Sequence, residues 1–464
     1  MSTHHPTPTI LLPDLPPKTL VGIDLITFTS TPNFHGIRDL SPGWHFLYTG
    51  ATETLSLRSG AWFYIGDITT AGKGSNDTAL VAQGHKNQTQ NAPGPEIYIW
   101  KWSANTESLV ALDGESASSL QECMRYKANL GSVWQSGGLF KYRSRIAPSM
   151  LVKPVTEAEP GEKNEQDQPE HQIEARIQTE DDSQTEESGR RDWSGLTDRI
   201  SPSLLSRVIG KPEVDVDGHP RWALSSASTA NCDADHIPGV DSPAEGSHEL
   251  EPEREFGFIP VDLKRTWREG AVGRERTEAA KDRSWALGDL IDRYAGEASG
   301  GNQLLGELQF TFLMVLTMMN YSCLQQWKRL LELILTSRSA VLDREAFMSE
   351  VLRILSLQLQ RCDDVDGGLF EIDGDEGGAF LRHLLMKLRQ SVDDLVGDSG
   401  SEVKLELDKL EEWVKAEYNW ELRRGTVVRH GMLQLEDGEQ VEMDWDGNDE
   451  DDETGEYAPV IVDM

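Results

Sequence analysis

Three side chains near the N-terminus are of the types that acid–base catalysis uses. Asp24, His35 and His45 lie within one short stretch of the chain, and a carboxylate that orients an imidazole is a common arrangement for a general base. Nothing in the sequence fixes the three side chains relative to one another. A structural role is therefore the favoured interpretation, and an enzyme with a small-molecule pocket in this β-rich region is the alternative.

Two segments resemble ligand-binding loops, but each lacks required residues. Gly72-Lys73-Gly74-Ser75 matches part of a phosphate loop without the full spacing of glycines before the lysine. Residues 363–376 are rich in acids and glycines, as in a calcium loop. With Asp364 as first ligand, however, Gly368 replaces the fifth ligand and Leu369 occupies the position that requires glycine. We predict a polar loop and a helix-to-helix connection.

The cysteine and histidine residues predict neither a metal site nor a redox site. The four cysteines are far apart in the chain, which is typical of reduced thiols. The histidine spacing of zinc hydrolases and the Gly-x-Ser-x-Gly elbow are both absent from the sequence. We therefore expect no catalytic residues, no metal and no cofactor. The cysteines are Cys123, Cys232, Cys323 and Cys362.

The net charge argues against direct binding of nucleic acid. The chain contains 79 acidic and 44 basic residues, which gives a formal charge of -35, and such a surface repels phosphate backbones. Lys141, Arg143 and Arg145 are the one candidate basic cluster, and a solvated rim is the favoured interpretation. An RNA-binding protein is a third hypothesis, which would require a coherent basic face.

Several serine and threonine residues lie among acidic residues. Ser183, Thr185 and Ser188 lie in one such stretch, and Ser242 precedes Pro243. These are candidate phosphorylation sites, and a phosphate there would change the local charge. Our hypothesis is that this modification tunes the binding of a partner.

The first residues do not have the pattern of a secretory signal. They are rich in Pro and Thr and lack a charged region followed by an apolar core. We therefore expect the chain in the cytoplasm and nucleus. In that setting the sequons at Asn76, Asn87 and Asn320 are chance matches.

Residues 302–335 form the stretch that the rest of the chain must accommodate. Up to Met319 apolar side chains cover nearly the whole circumference of a helix, which is typical of a helix buried on all sides. After Asn320 they narrow to one face. A membrane span would require about 20 unbroken apolar residues, and polar residues interrupt this run. We predict two packed helices and no membrane contact. The interrupting residues are Thr311, Thr317, Asn320 and Ser322.

Residues 20–145 are predicted to form an antiparallel β-rich domain, after a flexible N-terminus at 1–19. Apolar residues alternate in several short runs separated by turn-forming residues. Residues 66–95 are predicted to be a long polar hairpin loop. Ser119 and Glu122 fit a capping box for one helix that ends at Gly131 and packs on the sheet.

Residues 193–425 are predicted to form an antiparallel domain of about six helices. Ser201 and Pro202 begin a short helix that ends at Gly210, another helix covers residues 277–294, and Ser399 with Glu402 forms a further capping box. Two polar stretches, 146–192 and an insert at 213–254, are predicted to be disordered because they carry too few large apolar residues. The predicted fold class is α+β.

Residues 426–464 are predicted to form an acidic tail that ends in a β strand. Residues 426–429 and 432–435 could pair as a hairpin, and residues 444–456 are an acidic run. A strand on such a tether can pair with the sheet edge of another protein. Its residues are Ala458, Pro459, Val460, Ile461, Val462 and Asp463.

Two blocks of the sequence resemble the AAR-two (AAR2) family of splicing factors. Residues 22–24, 34–37 and 42–47 are similar to the family's N-terminal signature, and residues 305–310 and 327–331 to its helical block. Weaker similarity covers 193–208, 285–291, 418–420 and the terminal strand. The departures are the inserts and the long acidic stretch. The signature residues are Gly22, Asp24, Phe34, Gly36, Pro42, Gly43, His45, Phe46, Gly306, Glu307, Gln309, Trp327 and Lys328.

The resemblance implies a β-rich N-terminal domain and a VHS-like helical domain. It implies a non-catalytic assembly chaperone of the U5 small nuclear ribonucleoprotein (snRNP) in pre-mRNA splicing. The implied partner is the large U5 scaffold protein, bound through its RNase H-like and Jab/MPN-like domains, with the C-terminal strand joining the partner's sheets. Occupancy would keep RNA and the U5 helicase from binding early.

Overall fold

The computed structural model describes residues 7–51, 57–68, 96–112, 114, 116–145, 168–230, 255–294, 301–362, 375–397, 400–423, 430–434 and 440–444. For 168–182, 375–379, 430–434 and 440–444 it describes the backbone alone. Several predictions concern residues outside these ranges. They are most of the hairpin loop at 66–95 with the segment 72–75, Asn76 and Asn87, residues 146–167 and 231–254 of the predicted disordered stretches with Cys232 and Ser242, most of the acidic segment 363–376, the predicted strand 426–429, nearly all of the acidic run 444–456 and the terminal strand.

The described residues form a β-rich N-terminal region followed by a helical region, as predicted. The strands are β1 Thr9–Leu11, β2 Leu20–Ile23, β3 Ile26–Thr29, β4 Gly36–Arg38, β5 Gly43–Gly50, β6 Arg58–Ile65, β7 Ile97–Ser103, β8 Ser108–Ala111, β9 Leu139–Lys141, β10 Glu213–Val214, β11 Pro220–Ser225, β12 His430–Gln434 and β13 Gln440–Asp444. The helices are α1 Ala117–Gln135, α2 Gln168–Thr197, α3 Pro202–Val208, α4 Arg274–Lys281, α5 Ser284–Arg293, α6 Gly301–Met318, α7 Tyr321–Leu335, α8 Ala340–Asp343, α9 Glu345–Leu359, α10 Asp375–Val396 and α11 Glu402–Tyr418.

Strands β1 to β11 build two stacked sheets, and β12 and β13 form a separate two-stranded sheet. The six-stranded sheet has the order β10-β11-β6-β5-β2-β3, and all its pairs are antiparallel. The five-stranded sheet has the order β8-β7-β1-β4-β9. In it β1 pairs with β7, and β4 with β9, in parallel, so the purely antiparallel prediction is wrong for this sheet. Parallel partners come from distant parts of the chain, and local alternation does not reveal them.

The six-stranded sheet is buried on both faces. One face packs against the five-stranded sheet, where Val21, Leu47 and Phe63 share a core with Ile10 and Trp100. The other face meets the helices through a row of large side chains. Since neighbouring residues of a strand point to opposite faces, β5 and β6 are apolar almost throughout. The row is Trp44, Phe46, Tyr48, Trp62, Trp222 and Leu224.

The N-terminal residues and the start of helix α1 differ from the prediction. Residues 7–19 are not a flexible terminus, because β1 is an interior strand whose apolar residues Ile10 to Leu12 are buried. The predicted helix on the sheet is confirmed as α1. However, Ser116 is its N-cap and accepts from Ser118 N, and the helix continues past Gly131. The capping box at Ser119 is therefore wrong.

The two central helices agree with the prediction. Every residue of α6 from Leu304 to Met318 is buried, and α7 is polar on one side only. Asn320 caps α7, with its Oδ1 accepting from Cys323 N at 2.9 Å. No helix among the described residues is both long enough and apolar enough to cross a bilayer.

Other helix boundaries are confirmed in part. Ser201 caps α3 by accepting from Leu204 N at 3.2 Å, as predicted. The helix expected over 277–294 is two helices, because the chain breaks at Asp282, whose carboxylate accepts from Ser284 N. Ser401, rather than Ser399, precedes α11, and Glu345 accepts from the N–H of Glu402 at 2.8 Å.

The predicted disorder is wrong for two segments. Residues 183–192 belong to α2, which is stabilised by ion pairs one turn apart, from Glu186 to Arg190 and from Glu187 to Arg191. Residues 213–230 contain β10 and β11, and β11 pairs with β6 from Arg221↔Phe63 to Ser225↔Ser59. The insert therefore completes the six-stranded sheet.

The C-terminal hairpin differs from the predicted pairing. Residues 430–434 pair with 440–444, from His430↔Asp444 to Gln434↔Gln440, a pairing that the sequence did not predict, whereas the predicted strand 426–429 lies outside the described residues. The predicted division of the chain at 145/146, 192/193 and 425/426 stays a prediction.

Gly306 marks the closest approach between α6 and the turn that joins α2 to α3. A Cβ atom there would lie 2.6 Å from the carbonyl oxygen of Arg199 and 2.9 Å from Leu204 Cδ2. One of these neighbours is backbone and cannot rotate away. Glycine at this position is what lets the buried helix contact the turn.

We expect Gly306→Ala to lower the free energy of unfolding by about 1–3 kcal/mol, the usual range for overpacking a core. Urea denaturation followed by circular dichroism measures this. Gly131→Ala is the matched control, because Gly131 lies inside α1 with nothing within 4 Å of a built Cβ. It should stabilise the protein by about 0.5–1 kcal/mol. Equal effects of the two substitutions would contradict the close approach.

Candidate functional site

Asp24 and His45 meet in the structure, and the third partner is Tyr142 rather than His35. His45 Nδ1 lies 2.8 Å from Asp24 Oδ2, and Tyr142 donates its hydroxyl to the same oxygen at 2.6 Å. Asp24 Oδ1 accepts from Phe46 N at 2.9 Å. His35 is exposed and lies outside this network, so the predicted three-residue set is wrong in that member.

His45 is held as a cation. Its Nε2 lies 2.7 Å from the carbonyl oxygen of Ser41, and Nδ1 faces the Asp24 carboxylate. Both acceptors need a proton on the ring, so both nitrogens donate. Burial lowers the pKa of His45, but the Asp24 carboxylate and the Ser41 carbonyl outweigh it, and the pKa is raised above 6.5.

This network is nearly inaccessible to solvent, although Asp24 and Tyr142 border a cavity of 410 Å³. Asp24 is 3% exposed and His45 is 1% exposed, and burial together with Asp24 raises the pKa of Tyr142. A general base needs access to the proton that it removes. The arrangement instead joins the turn after β2 to the start of β5 and the end of β9, which is a structural role.

A second buried network surrounds Glu307 on α6, which is fully buried. Arg207 Nη1 on α3 lies 2.7 Å from its Oε2, and the backbone N–H of Ile259 donates to both carboxylate oxygens at 3.0 and 3.2 Å. Gln326 Nε2 on α7 donates to Oε1 at 2.8 Å and to the Ile259 carbonyl at 2.8 Å. Burial raises the pKa of Glu307, and these partners act against the rise. The Glu307 side chain thus links α6 to three segments: α3, the segment around Ile259, and α7.

Gln309, two residues after Glu307 on α6, fixes the position of the α2–α3 turn. Its Oε1 accepts from Arg199 N at 3.0 Å. Its Nε2 donates to the Gly195 carbonyl at 2.8 Å and to Asp198 Oδ1 at 2.7 Å. Both polar atoms of the Gln309 amide therefore form hydrogen bonds within the chain.

Two tryptophans join the β region to the helices. Trp44 Nε1 on β5 donates to the carbonyl oxygen of Ile200 at 2.9 Å. Trp193 Nε1 on α2 donates to the carbonyl oxygen of Trp44 at 2.7 Å. These two hydrogen bonds hold the end of α2 against the six-stranded sheet.

The remaining signature residues also pack or turn the chain. A Cβ on Gly22 would lie 2.0 Å from the Tyr48 ring, Phe34 packs edge-on against Phe28, and Phe46 is buried in the helix-facing row. Trp327 donates to Gln358 at 3.1 Å. Lys328 lies over the Phe380 ring. Gly36 begins β4, Gly43 begins β5, and Pro42 immediately precedes β5.

One cluster of ligand-type residues has no counterpart in the predictions. Asp215, Asp217 and His219 lie close together between β10 and β11, and their alternate spacing is a signal that the sequence does contain. The Asp215 carboxylate accepts from Asp217 N and His219 N and contacts His219 Nδ1 at 3.0 Å. Asp217 pairs with Lys127 at 2.6 Å. The side chains of Asp215, Asp217 and His219 are thus engaged in contacts that stabilise the turn.

The candidate phosphorylation residues with described positions lie on α2. Ser183 is exposed, and Thr185 is half-buried. Thr185 lines a 410 Å³ cavity together with Arg145 and Arg361. The neighbouring Ser144 donates from its backbone N–H to Glu186. The basic stretch Lys141, Arg143 and Arg145 therefore ends against the acidic residues of α2.

The sequons and cysteines agree with the predictions where they are described. Asn320 is buried and donates to the carbonyls of Ser226 and Ser228, so it is closed to glycosylation. Cys123, Cys323 and Cys362 are buried.

Comparisons with known proteins agree with the signature blocks. A family model described as the AAR2 N-terminal domain matches residues 6–210, and one described as the AAR2 C-terminal repeat region matches residues 258–423. Proteins named "Protein AAR2 homolog" are similar to part of the chain. The Homo sapiens protein is 32% identical over 104 residues, 22% of this chain and 26% of its own length. The Oryctolagus cuniculus protein is 36% identical over 105 residues, 22% of this chain and 29% of its own length. The chain thus matches about a quarter of these relatives' length.

The charge of His45 predicts a pH-dependent contribution to stability. Its folded-state pKa is raised above 6.5, so the stabilisation is complete below that value and is lost as the pH rises through the folded-state pKa. We expect the difference in unfolding free energy between wild type and His45→Gln to shrink from about pH 6 to pH 9, by at most about 1.4 kcal/mol per pH unit. His35→Gln is the control, because His35 is exposed and lies outside the network. A pH-independent difference for His45→Gln would refute the buried cation.

Proposed function

The chain belongs to the AAR2 family, and on that premise we propose that it is a non-catalytic assembly chaperone in pre-mRNA splicing. It binds the large U5 snRNP scaffold protein through the partner's RNase H-like and Jab/MPN-like domains, and it delays the binding of RNA and of the U5 helicase. It works in the cytoplasm and nucleus. The observation that carries the proposal is the pair of family matches, which cover residues 6–210 and 258–423 in the family's order.

The use of the signature side chains supports a binding role over catalysis. Asp24 and His45 are closed to solvent, and Glu307 and Gln309 direct their polar atoms at the chain's own backbone and side chains. Signature residues that hold layers together maintain a shape. A defined shape with charged and apolar surfaces is what recognition of another folded protein requires.

The net charge supports a protein partner rather than direct contact with nucleic acid. At -35 the chain repels phosphate backbones, and it favours an approach to basic protein surfaces. A chaperone with this charge competes with RNA for the same basic surface of the scaffold protein. The delay in RNA binding follows from that competition.

The terminal strand, Ala458–Asp463 in sequence numbering, is the proposed clamp on the partner. Its backbone adds to a sheet edge of the scaffold protein, and main-chain hydrogen bonds supply the affinity. The acidic residues before it act as a tether, which raises the local concentration of the strand near its site.

We expect truncation after Glu456 to raise the dissociation constant for the RNase H-like or the Jab/MPN-like domain at least about tenfold, without lowering the thermal midpoint. Ile461→Pro should reproduce much of this loss because proline removes a backbone donor, while Ile461→Val should bind as wild type. Isothermal titration calorimetry measures each. Unchanged affinity after truncation would remove the strand-addition step, and failure of the intact chain to capture the scaffold protein from extract would remove the proposed partner.

Phosphorylation on α2 and at Ser242 is proposed to tune this binding. We expect glutamate at Ser183, Thr185 and Ser242 to change the dissociation constant for the scaffold domains several-fold, in the direction of weaker binding if the partner surface is acidic there and of stronger binding if it is basic. Alanine at the same positions should match the unmodified wild type. Identical affinities for the glutamate and alanine variants would reject the regulatory role.

A further inference from the structure

A cavity of 520 Å³ lies at one corner of the two-sheet core, between β8 of the five-stranded sheet and β6 and β11 of the six-stranded sheet. Protein interiors are close-packed, and few of their voids exceed the size of a water molecule. This volume falls within the range of small-molecule sites, about 300–1,000 Å³. Among the described residues, neither the Asp24 network nor the Glu307 network contributes to its lining.

The register between β6 and β11 explains why the corner is not filled. Two successive cross-strand pairs of small residues, Ala223↔Ala61 and Ser225↔Ser59, line the cavity. Because side chains alternate between the two faces of a strand, these four lie on the face that meets the five-stranded sheet. The other sheet contributes Trp100, Leu109 and Ala111. The cavity is therefore an open extension of the apolar core between the sheets.

One buried charged side chain also reaches the cavity. Arg221 is 4% exposed, and its guanidinium carbon lies 5.0 Å from the centre of the Trp100 ring. Among the described lining residues only Arg221 and Glu213 carry a formal charge. A buried charge is strongly unfavourable unless an opposite charge and hydrogen bonds replace water. Arg221 therefore needs a carboxylate beside it.

Glu213 shows how Arg221 holds a carboxylate. Arg221 Nε and Nη2 donate to Glu213 Oε2 at 2.9 and 2.7 Å. Glu213 lies on the two-residue edge strand β10, and its side chain is 37% exposed. It can turn into solvent and keep its charge hydrated, whereas Arg221 is held in the core. A second carboxylate can therefore take the position of the Glu213 carboxylate.

The edge of β8 beside the cavity is already bonded within the chain. The Leu109 carbonyl accepts from Arg221 Nη1 at 3.0 Å, and the Leu112 carbonyl accepts from Val216 N at 3.1 Å. An added β strand needs such carbonyls for its own hydrogen bonds. The cavity thus fits a small molecule better than an extended peptide.

We propose that this cavity binds a small aliphatic carboxylic acid, whose carboxylate replaces that of Glu213 on Arg221. The hydrocarbon chain of the ligand fills the space beside Ala61 and Ala223, and burial of that chain stabilises the complex. Charge-assisted hydrogen bonds from the guanidinium orient the carboxylate. The site is separate from the terminal strand, so this inference goes beyond the proposed function and does not depend on it.

The test titrates the full-length chain by calorimetry with two probes, octanoate and 1-octanol, which share a hydrocarbon chain length and differ in charge. We expect octanoate to bind wild type at one molecule per chain with a dissociation constant below about 1 mM. Glu213→Gln should tighten octanoate binding about tenfold and leave 1-octanol binding unchanged, because it removes the competing carboxylate from Arg221. Glu187→Gln, at an exposed acid on α2, is the matched control and should bind as wild type.

Ala223→Leu tests the cavity itself. The larger side chain fills the space, so binding of both probes should weaken at least about tenfold. Ala128→Leu, at an exposed position of α1, is its control and should bind both probes as wild type. The thermal midpoint of each variant, measured by circular dichroism, separates a filled cavity from a loss of folding.

Three results would overturn the inference. The first is the absence of saturable octanoate binding to wild type below about 1 mM. The second is equal octanoate binding by Ala223→Leu and Ala128→Leu, which would place the molecule elsewhere on the surface. The third is unchanged or weaker octanoate binding by Glu213→Gln, which would show that Arg221 does not hold the ligand carboxylate. The proposed splicing partner stands or falls separately, since none of these titrations includes it.

Discussion

The buried carboxylate of Glu307 is the constraint on which the arrangement of the helical region depends. A carboxylate surrounded by apolar side chains is strongly unfavourable unless charged and hydrogen-bonding partners replace water. Its partners here come from α3, from the extended segment around Ile259 and from α7. Each of these segments is therefore fixed in position relative to α6, and none can shift without leaving a buried charge unpaired. Gly306 and Gln309, on the same helix, fix the α2–α3 turn in the same way.

The six-stranded sheet plays the complementary part. It is apolar on both faces, so it needs the five-stranded sheet on one side and the helices on the other. At that second boundary Trp193 donates to the Trp44 carbonyl and Trp44 donates to the Ile200 carbonyl, and Arg58 reaches from β6 to the end of α6. The layers thus share one continuous core between sheet and helices. A protein that binds the outer surface would therefore contact a sheet and helices that are packed together in one core.

The sequence predicted the elements whose signal is local. α6 was predictable because its apolar residues cover the whole helix, and α3 because Ser201 and Pro202 begin it. The strand β11 was not, since its few apolar residues, Trp222 and Leu224, lie inside a polar stretch. The parallel pairs of the five-stranded sheet were missed for a different reason: their partners are remote in the chain.

For the candidate site, the pairing of Asp24 with His45 was predictable from their proximity in the chain. The choice of Tyr142 as third partner was not, because Tyr142 lies more than a hundred residues away. The partners of Glu307 likewise come from residues 207, 259 and 326. Only the three-dimensional arrangement shows how the charge of Glu307 is satisfied.

β11 is synthesised long after β6, and this order affects folding during translation. β11 pairs with β6 across about 160 residues of sequence, so the edge of β6 stays bare while the ribosome adds the residues between them. At about 5–20 residues per second this interval is on the order of ten seconds. During it the nascent β layer exposes both an unpaired edge and the aromatic face that α6 later covers. A protein whose proposed task is to shelter an unfinished assembly therefore passes through an exposed stage of its own, and that stage is the point at which cellular chaperones would engage it.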